Sequence, residues 1–267
     1  MANKNETIGR TILVALVLSF VFSVVVSTAA VILKPVQIEN RNLDMKSNIL
    51  AAAGLLDSGA SAEEIEKKFK LFDVRLVDFS TGEYVEPAEV GVQDPMRYDQ
   101  YEASSDPEKS INLTGPQDQA DIKRRAKVGK VYIYREEGEI QRIVLPVHGY
   151  GLWSTLYGFI ALEGDANTIA GLTFYDHAET PGLGGEVDNP VWRAKWPGKE
   201  VYGEDMGEPE IQLIKGSVGP DTADREHKVD GLAGATLTSR GVTNLLQFWM
   251  GEYGFAEYLS KLRQGEV

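Results

Sequence analysis

The sequence has no cysteine. That removes disulfide frameworks, thiolate zinc sites, iron–sulfur ligation and cysteine nucleophiles in one step. Histidine is scarce as well, with three in 267 residues, and His148 has no second histidine at ligand spacing, which argues against a metal centre there. Positive charge is in short supply: 27 Lys and Arg stand against 40 Asp and Glu, a net charge of −13. A nucleic-acid partner needs a clustered basic footprint, and an acidic excess of this size argues against one. The G-x-G-x-x-G spacing and the lysine of a phosphate-binding loop are missing too, so neither a dinucleotide fold nor an NTPase is supported. What is there is 43% hydrophobic, enough for a packed core and too much for a disordered chain.

The longest feature is apolar. Thr11 to Leu33 carries no charge and at helical rise can cross a hydrocarbon core of about 30 Å. Lys4 and Arg10 precede it against Glu6, and this positive-inside bias places the N-terminus in the cytoplasm and the rest outside it, in the periplasm of a Gram-negative cell. The small residues Ser27, Thr28 and Ala29 also admit a cleaved signal peptide. The run is longer than the 7–15 residues of a signal core, which favours a retained anchor.

Beyond the span, Leu43, Ile49, Leu50, Leu55 and Leu56 suggest a continuing helix, and Ser61 opens another with Glu63 and Glu64 in its first turn. Asp78 to Gln119 is poor in apolar periodicity and reads as a solvated surface excursion. Two β-branched and aromatic runs then flank Glu136-Glu-Gly-Glu, a hairpin signature, and further runs from Thr155 and Thr168 extend it. Residues 130–176 therefore form an antiparallel meander. Asp188 or Asn189 caps a short helix with Pro190 in its first turn. Val242, Leu245, Leu246, Trp249, Met250 and Tyr253 make one apolar helical face that Gly254 interrupts.

Three segments combine glycine with polar residues. Pro146 to Thr155 places Gly149 and Gly151 beside Trp153, Ser154 and Thr155; a glycine turn with a core tryptophan explains the same letters. His177 to Glu186 sets Gly182, Gly184 and Gly185 around Leu183, where backbone N–H groups could face an anion or a ring. Within it His177 and Glu179 either serve acid–base chemistry or orient each other. Val229 to Val242 places Thr236 on a low-bulk strip before a helix, with Thr238 or Ser239 as its cap. An anion on the Thr236 hydroxyl would meet that helix's unpaired N–H groups.

Asp230-Gly-Leu-Ala-Gly-Ala-Thr236 resembles the flavinylation motif of the FMN-binding domain family, Asp-Gly-x-(Ser/Thr)-Gly-Ala-Thr, with Ala233 where Ser or Thr is usual. Glu179-Thr-Pro-Gly-Leu-Gly184 and Gly149-Tyr-Gly-Leu-Trp153 look like that family's flavin-pocket loops. With the anchor and the length, the chain resembles the C subunits of Na+-translocating NADH:quinone reductases over nearly its whole extent.

The resemblance implies FMN held as a phosphoester on Thr236 after transfer by a dedicated flavin transferase. It implies contact or stacking from Trp153 and Leu183, and hydrogen bonds from Ser154, Thr155, Glu179 and Thr180. Gly182, Gly184, Gly234 and Ala235 would allow close approach, Asp230 would shape the turn, and Thr238 would cap the helix beside the phosphate. The partners implied are the other members of a six-subunit membrane complex, especially its B subunit and the iron–sulfur-bearing D/E pair. Electrons would pass from NADH toward quinone with sodium export, in a bacterial inner membrane. The G subunit of Rnf-type ferredoxin:NAD oxidoreductases is the nearer alternative and a flavin-free periplasmic scaffold the farther one; the acidic excursion favours the C subunits over the first. The expected architecture is an α+β domain with an antiparallel sheet packed by helices. Residues 1–10 would be cytoplasmic, 11–33 the span, 34–129 a helical and loop part, and 130–267 the FMN-binding core.

Overall fold

The computed structural model describes residues 7–56 and 59–267. Lys4 and Glu6, part of the charge bias before the span, lie outside them. The chain divides into two compact units, Met1–Asp44 and Met45–Val267.

The described residues of the first unit are helical from Ile8 onward. Helix α1 (Ile8–Ala52) runs for 45 residues through Pro35, and its most apolar window has a mean hydropathy of 2.6. Its flanks Ile12 to Leu33 are exposed apolar side chains, which suits membrane anchoring. Among the described residues it is the one helix of that length and composition.

In the second unit the last turns of α1 bury Ile49 and Leu50. Helix α2 (Ala62–Phe69) starts in a capping box: the Ser61 hydroxyl accepts from the Glu64 amide, and the Glu64 carboxylate accepts from Ser61 N–H. Strand β1 (Phe72–Asp78) follows, then β2 (Tyr84–Val85), helix α3 (Gln100–Ser105), and the short pair β3 (Ser110–Asn112) and β4 (Arg124–Ala126). The long strands are β5 (Val128–Glu136), β6 (Glu139–Tyr150), β7 (Thr155–Glu163) and β8 (Ile169–Asp176). They build a six-stranded antiparallel sheet in the order β2-β1-β5-β6-β7-β8.

The meander of residues 130–176 is present as expected. Glu137 and Gly138, both at positive φ, turn the β5–β6 hairpin, the conformation a two-residue turn needs to match strand twist. Pro146 sits inside β6, opposite Phe159 of β7 and past the end of the β5 pairing. A ladder bond on that side is not lost, so proline is tolerated.

Two expectations are corrected here. β1 supplies a sheet strand in a region read as helical and loop. The excursion after Asp78 is not a solvated loop, because Tyr98, Ala103 and Leu113 are buried and Tyr98 Oη donates to Val128 O at 2.9 Å. The Phe72-Asp-Val-Arg-Leu76 alternation of β1 is itself a strand signal that was passed over, and the elements between residues 84 and 126 are too short to show a period.

After β8 come helix α4 (Pro190–Arg193), capped by the Asn189 side chain as expected, and the parallel pair β9 (Gln212–Ile214) and β10 (Lys228–Asp230). Helix α5 (Thr236–Met250) and helix α6 (Ala256–Gln264) close the chain. The inner face of α5, Val242, Leu245, Leu246 and Trp249, is buried in the main core. It lies close on β6: a Cβ at Gly149 would stand 2.5 Å from Leu245 Cβ, and one at Gly241 would stand 2.5 Å from Tyr150 O. The helix that begins at Thr236 is thus fixed against the hairpin that carries Trp153.

Candidate functional site

Thr236 is the first residue of α5 and is exposed. This differs from the expected helix start. Neither Thr238 nor Ser239 caps the helix; the cap position is Ala235, which offers no side-chain hydrogen bond. The first-turn N–H groups of a helix have no partner within it, and here no side chain takes that place at the cap.

The two hydroxyls expected as caps do other work. Ser239 Oγ accepts from Leu232 N at 2.9 Å and donates to Ala235 O at 3.0 Å, which staples the turn before the helix. Thr238, fully buried, donates from Oγ1 to Glu179 Oε2 at 2.7 Å. That carboxylate also accepts the amides of Leu152 and Trp153, both at 2.9 Å, and of Ser154 at 3.4 Å on Oε1. Glu179 therefore ties together the three glycine-bearing segments singled out in the sequence. Their glycines are needed at the tie: a Cβ at Gly151 would come within 2.6 Å of Oε1, and one at Gly184 within 2.5 Å of Oε2 and 2.6 Å of Thr238 Oγ1.

Ser154 serves the same end, its hydroxyl accepting from Ala178 N at 2.7 Å. His177 Nδ1 accepts from Glu179 N at 3.2 Å, which leaves the proton on Nε2 to donate to Asp188 Oδ2 at 2.8 Å. Of the two readings for His177 and Glu179, mutual orientation is the one this geometry supports. His148 lies far from such duty, buried among Tyr101, Tyr157 and Trp249.

Asp230 ends β10 just before the turn. Its carboxylate pairs with Lys195 and accepts from Val218 N at 2.8 Å, while its carbonyl accepts the Trp192 indole N–H at 2.8 Å. Gly234 takes positive φ, and a Cβ there would meet Leu183 Cδ2 at 3.0 Å, so the Leu183 side chain lies over the strip that leads to Thr236. Gly182 also has positive φ; Thr180 and Gly182 are exposed, and Thr155 opens β7 half-buried.

Four of the seven large apolar side chains exposed outside α1 among the described residues lie on the three glycine-bearing segments, the others being Leu71, Val191 and Met206. Trp153 is 65% exposed, Leu183 44%, Leu237 51% and Tyr150 42%. Water-facing aromatic and leucine side chains on segments that Glu179 joins mark a candidate binding surface. Thr236 also lines a groove of about 510 Å³ together with Lys215, Ala233, Gly234, Arg240 and Thr243. Tyr150, Leu237, Lys215 and Arg240 were not singled out in the sequence; Arg240 was within reach, being one helical turn after Thr236.

Titration follows from these contacts. Burial pushes the Glu179 carboxyl up, but the Thr238 hydroxyl and the amides of Trp153, Leu152 and Ser154 outweigh it and hold the group below the usual carboxylate range. Burial likewise raises Asp230, and Lys195 with the Val218 amide brings it below that range. Groups depressed on folding contribute stability that is fully present above the unfolded values of about 4 and is lost as pH falls through the folded ones. Thermal melts from pH 7 to pH 3 are expected to show a steep loss at the acid end, shallower in Glu179→Gln. A Glu179→Gln melt curve as steep as that of the unmodified sequence would contradict it.

A single long apolar helix among the described residues, an antiparallel sheet and a threonine at an open helix start beside apolar loops are the arrangement that the resemblance to an anchored FMN-binding domain protein implies. In agreement, residues 151–251 match the FMN-binding domain family. The chain is 52% identical to the C subunit of the Na(+)-translocating NADH-quinone reductase of Pseudomonas aeruginosa, covering 100% of both chains. It is 47% identical to the corresponding protein of Yersinia pestis over 99% of this chain and 96% of the other. The crystal structure of Shewanella oneidensis NqrC superposes with a TM-score of 0.73 at 34% identity, over 83% of this chain and 97% of that one. The chain belongs to the family of Na+-translocating NADH-quinone reductase C subunits. That decides for the C-subunit resemblance over the Rnf G-subunit alternative.

Proposed function

We propose that Thr236 carries FMN as a phosphoester and that the chain is an electron-relay subunit of a Na+-translocating NADH:quinone reductase. The observation that supports it most is the exposed Thr236 hydroxyl at the start of a helix without a side-chain cap. A phosphate on that oxygen would accept the open first-turn N–H groups and lie at the positive end of the helix. Arg240 and Lys215 in the adjoining groove supply cations, while Trp153, Leu183 and Leu237 offer apolar area to the flat ring. The residues present therefore fit FMN.

When bound, FMN supplies the capacity to exchange electrons, and the protein supplies its position and electrostatic surroundings. The chain's own part is to hold the ring against Trp153 and Leu183, to neutralise the phosphate and to keep both attached to α5. In this reading the domain is periplasmic, anchored by α1 in the inner membrane. It works between the iron–sulfur-bearing D/E pair and the B subunit, after maturation by a flavin transferase. Intact-mass measurement of the chain produced with that transferase tests the attachment: the expected gain is one FMN less one water, and an unmodified mass would instead support the flavin-free scaffold.

A further inference from the structure

Glu179 is a buried carboxylate, 5% exposed, whose four partners are three amides and one hydroxyl. None of them is a cation. Ordinary packing does not call for an ionised group here, since an apolar side chain would fill the space without the cost of removing a charge from water. The amides of residues 152–154 and the Thr238 hydroxyl make the charge tolerable, and Gly151 and Gly184 make room for it. Its place is specific: Oε1 holds the loop bearing Trp153, and Oε2 holds the third residue of the helix that begins at Thr236.

We infer that Glu179 is a positioning residue that locks the Trp153 loop to the first turn of α5 and holds a fixed negative charge beside the flavin, lowering the flavin's reduction potential. This rests on FMN being attached at Thr236. Reduction adds negative charge to the ring, and a nearby carboxylate in a poorly hydrated site opposes it more strongly than an exposed one. Donors on both of its oxygens tie it down, so the charge does not swing away when the ring becomes more negative.

Glu179→Gln separates charge from shape. The glutamine carbonyl can accept the three amides, and its NH2 group can donate to Thr238 Oγ1, so the tie survives without the charge. In the full-length, flavin-loaded chain, spectroelectrochemical titration is expected to give a less negative midpoint potential in Glu179→Gln. Thr238→Val removes the donor from Oε2 and leaves the charge less neutralised, and a shift to more negative potential is expected. In the flavin-free chain, hydrogen exchange at the Leu152 and Trp153 amides is expected to be slow in Glu179→Gln and fast in Glu179→Ala. A Glu179→Gln potential equal to the unmodified sequence's overturns the inference, as does a shift of the same sign in both variants. Loss of the FMN mass from the unmodified sequence itself would defeat the attachment, and would be seen before any potential is measured.

Discussion

Thr236→Ala is expected to abolish covalent flavin altogether. Its intact mass should equal the sequence mass, and its band after denaturing electrophoresis should be dark under ultraviolet light. The expectation is all-or-none because neighbouring hydroxyls cannot substitute. Thr238 is fully buried and donates to Glu179, and Ser239 is committed to Ala235 O and Leu232 N. Thr243 donates to Ser239 O a turn further along the helix. Thr236→Ser keeps a hydroxyl at the same place and is expected to retain the modification. Because Thr236 is exposed, the alanine variant should unfold within about 0.5 kcal/mol of the flavin-free unmodified sequence, which separates loss of the acceptor from loss of the fold. A fluorescent band from Thr236→Ala would disprove attachment at this residue.

The largest expected effect on stability is at the other end of the same helix. Trp249 is 1% exposed and packs against Phe79, Phe248, Phe255 and the His148 ring. Its indole N–H donates to His148 O at 2.6 Å. Trp249→Ala removes that packing, leaves a cavity and strands a buried carbonyl, at a cost of about 3–5 kcal/mol. Urea unfolding should show a lower midpoint with an unchanged slope, the pattern of a pure stability change. A loss below about 1 kcal/mol would mean that the core collapses around the gap.

These two residues show what could be read from the sequence. The inward face of α5 was legible, since Val242, Leu245, Leu246 and Trp249 repeat at helical spacing, and so were β5 to β8 with their turns. Where α5 begins was not. Side-chain caps are the usual signal, and Thr238 and Ser239 supplied one three or four residues too late, while the real cap position is a bare alanine, Ala235. Strand β1 was passed over although Asp73 and Arg75, which form a surface pair, alternate with Phe72, Val74 and Leu76 at strand period. The three glycine segments were visible as candidates, but what joins them was not. The partners of Glu179 lie 25 to 59 residues away, and three of them are backbone amides, which carry no letter in a sequence. The roles expected of Glu179 and Ser154 as donors or acceptors toward a ring were drawn from resemblance, and the structure shows both engaged in holding the loops.

The bare start of α5 has a consequence for how the protein is made. If the phosphate takes the place of a cap, the ribosome delivers a helix whose last stabilising group is added only after synthesis. Immature and mature molecules would then share one fold and differ in how firmly its final helix is begun. The difference would be confined to the very first amides of α5, since Thr238 is buried and held by Glu179 with or without the phosphate.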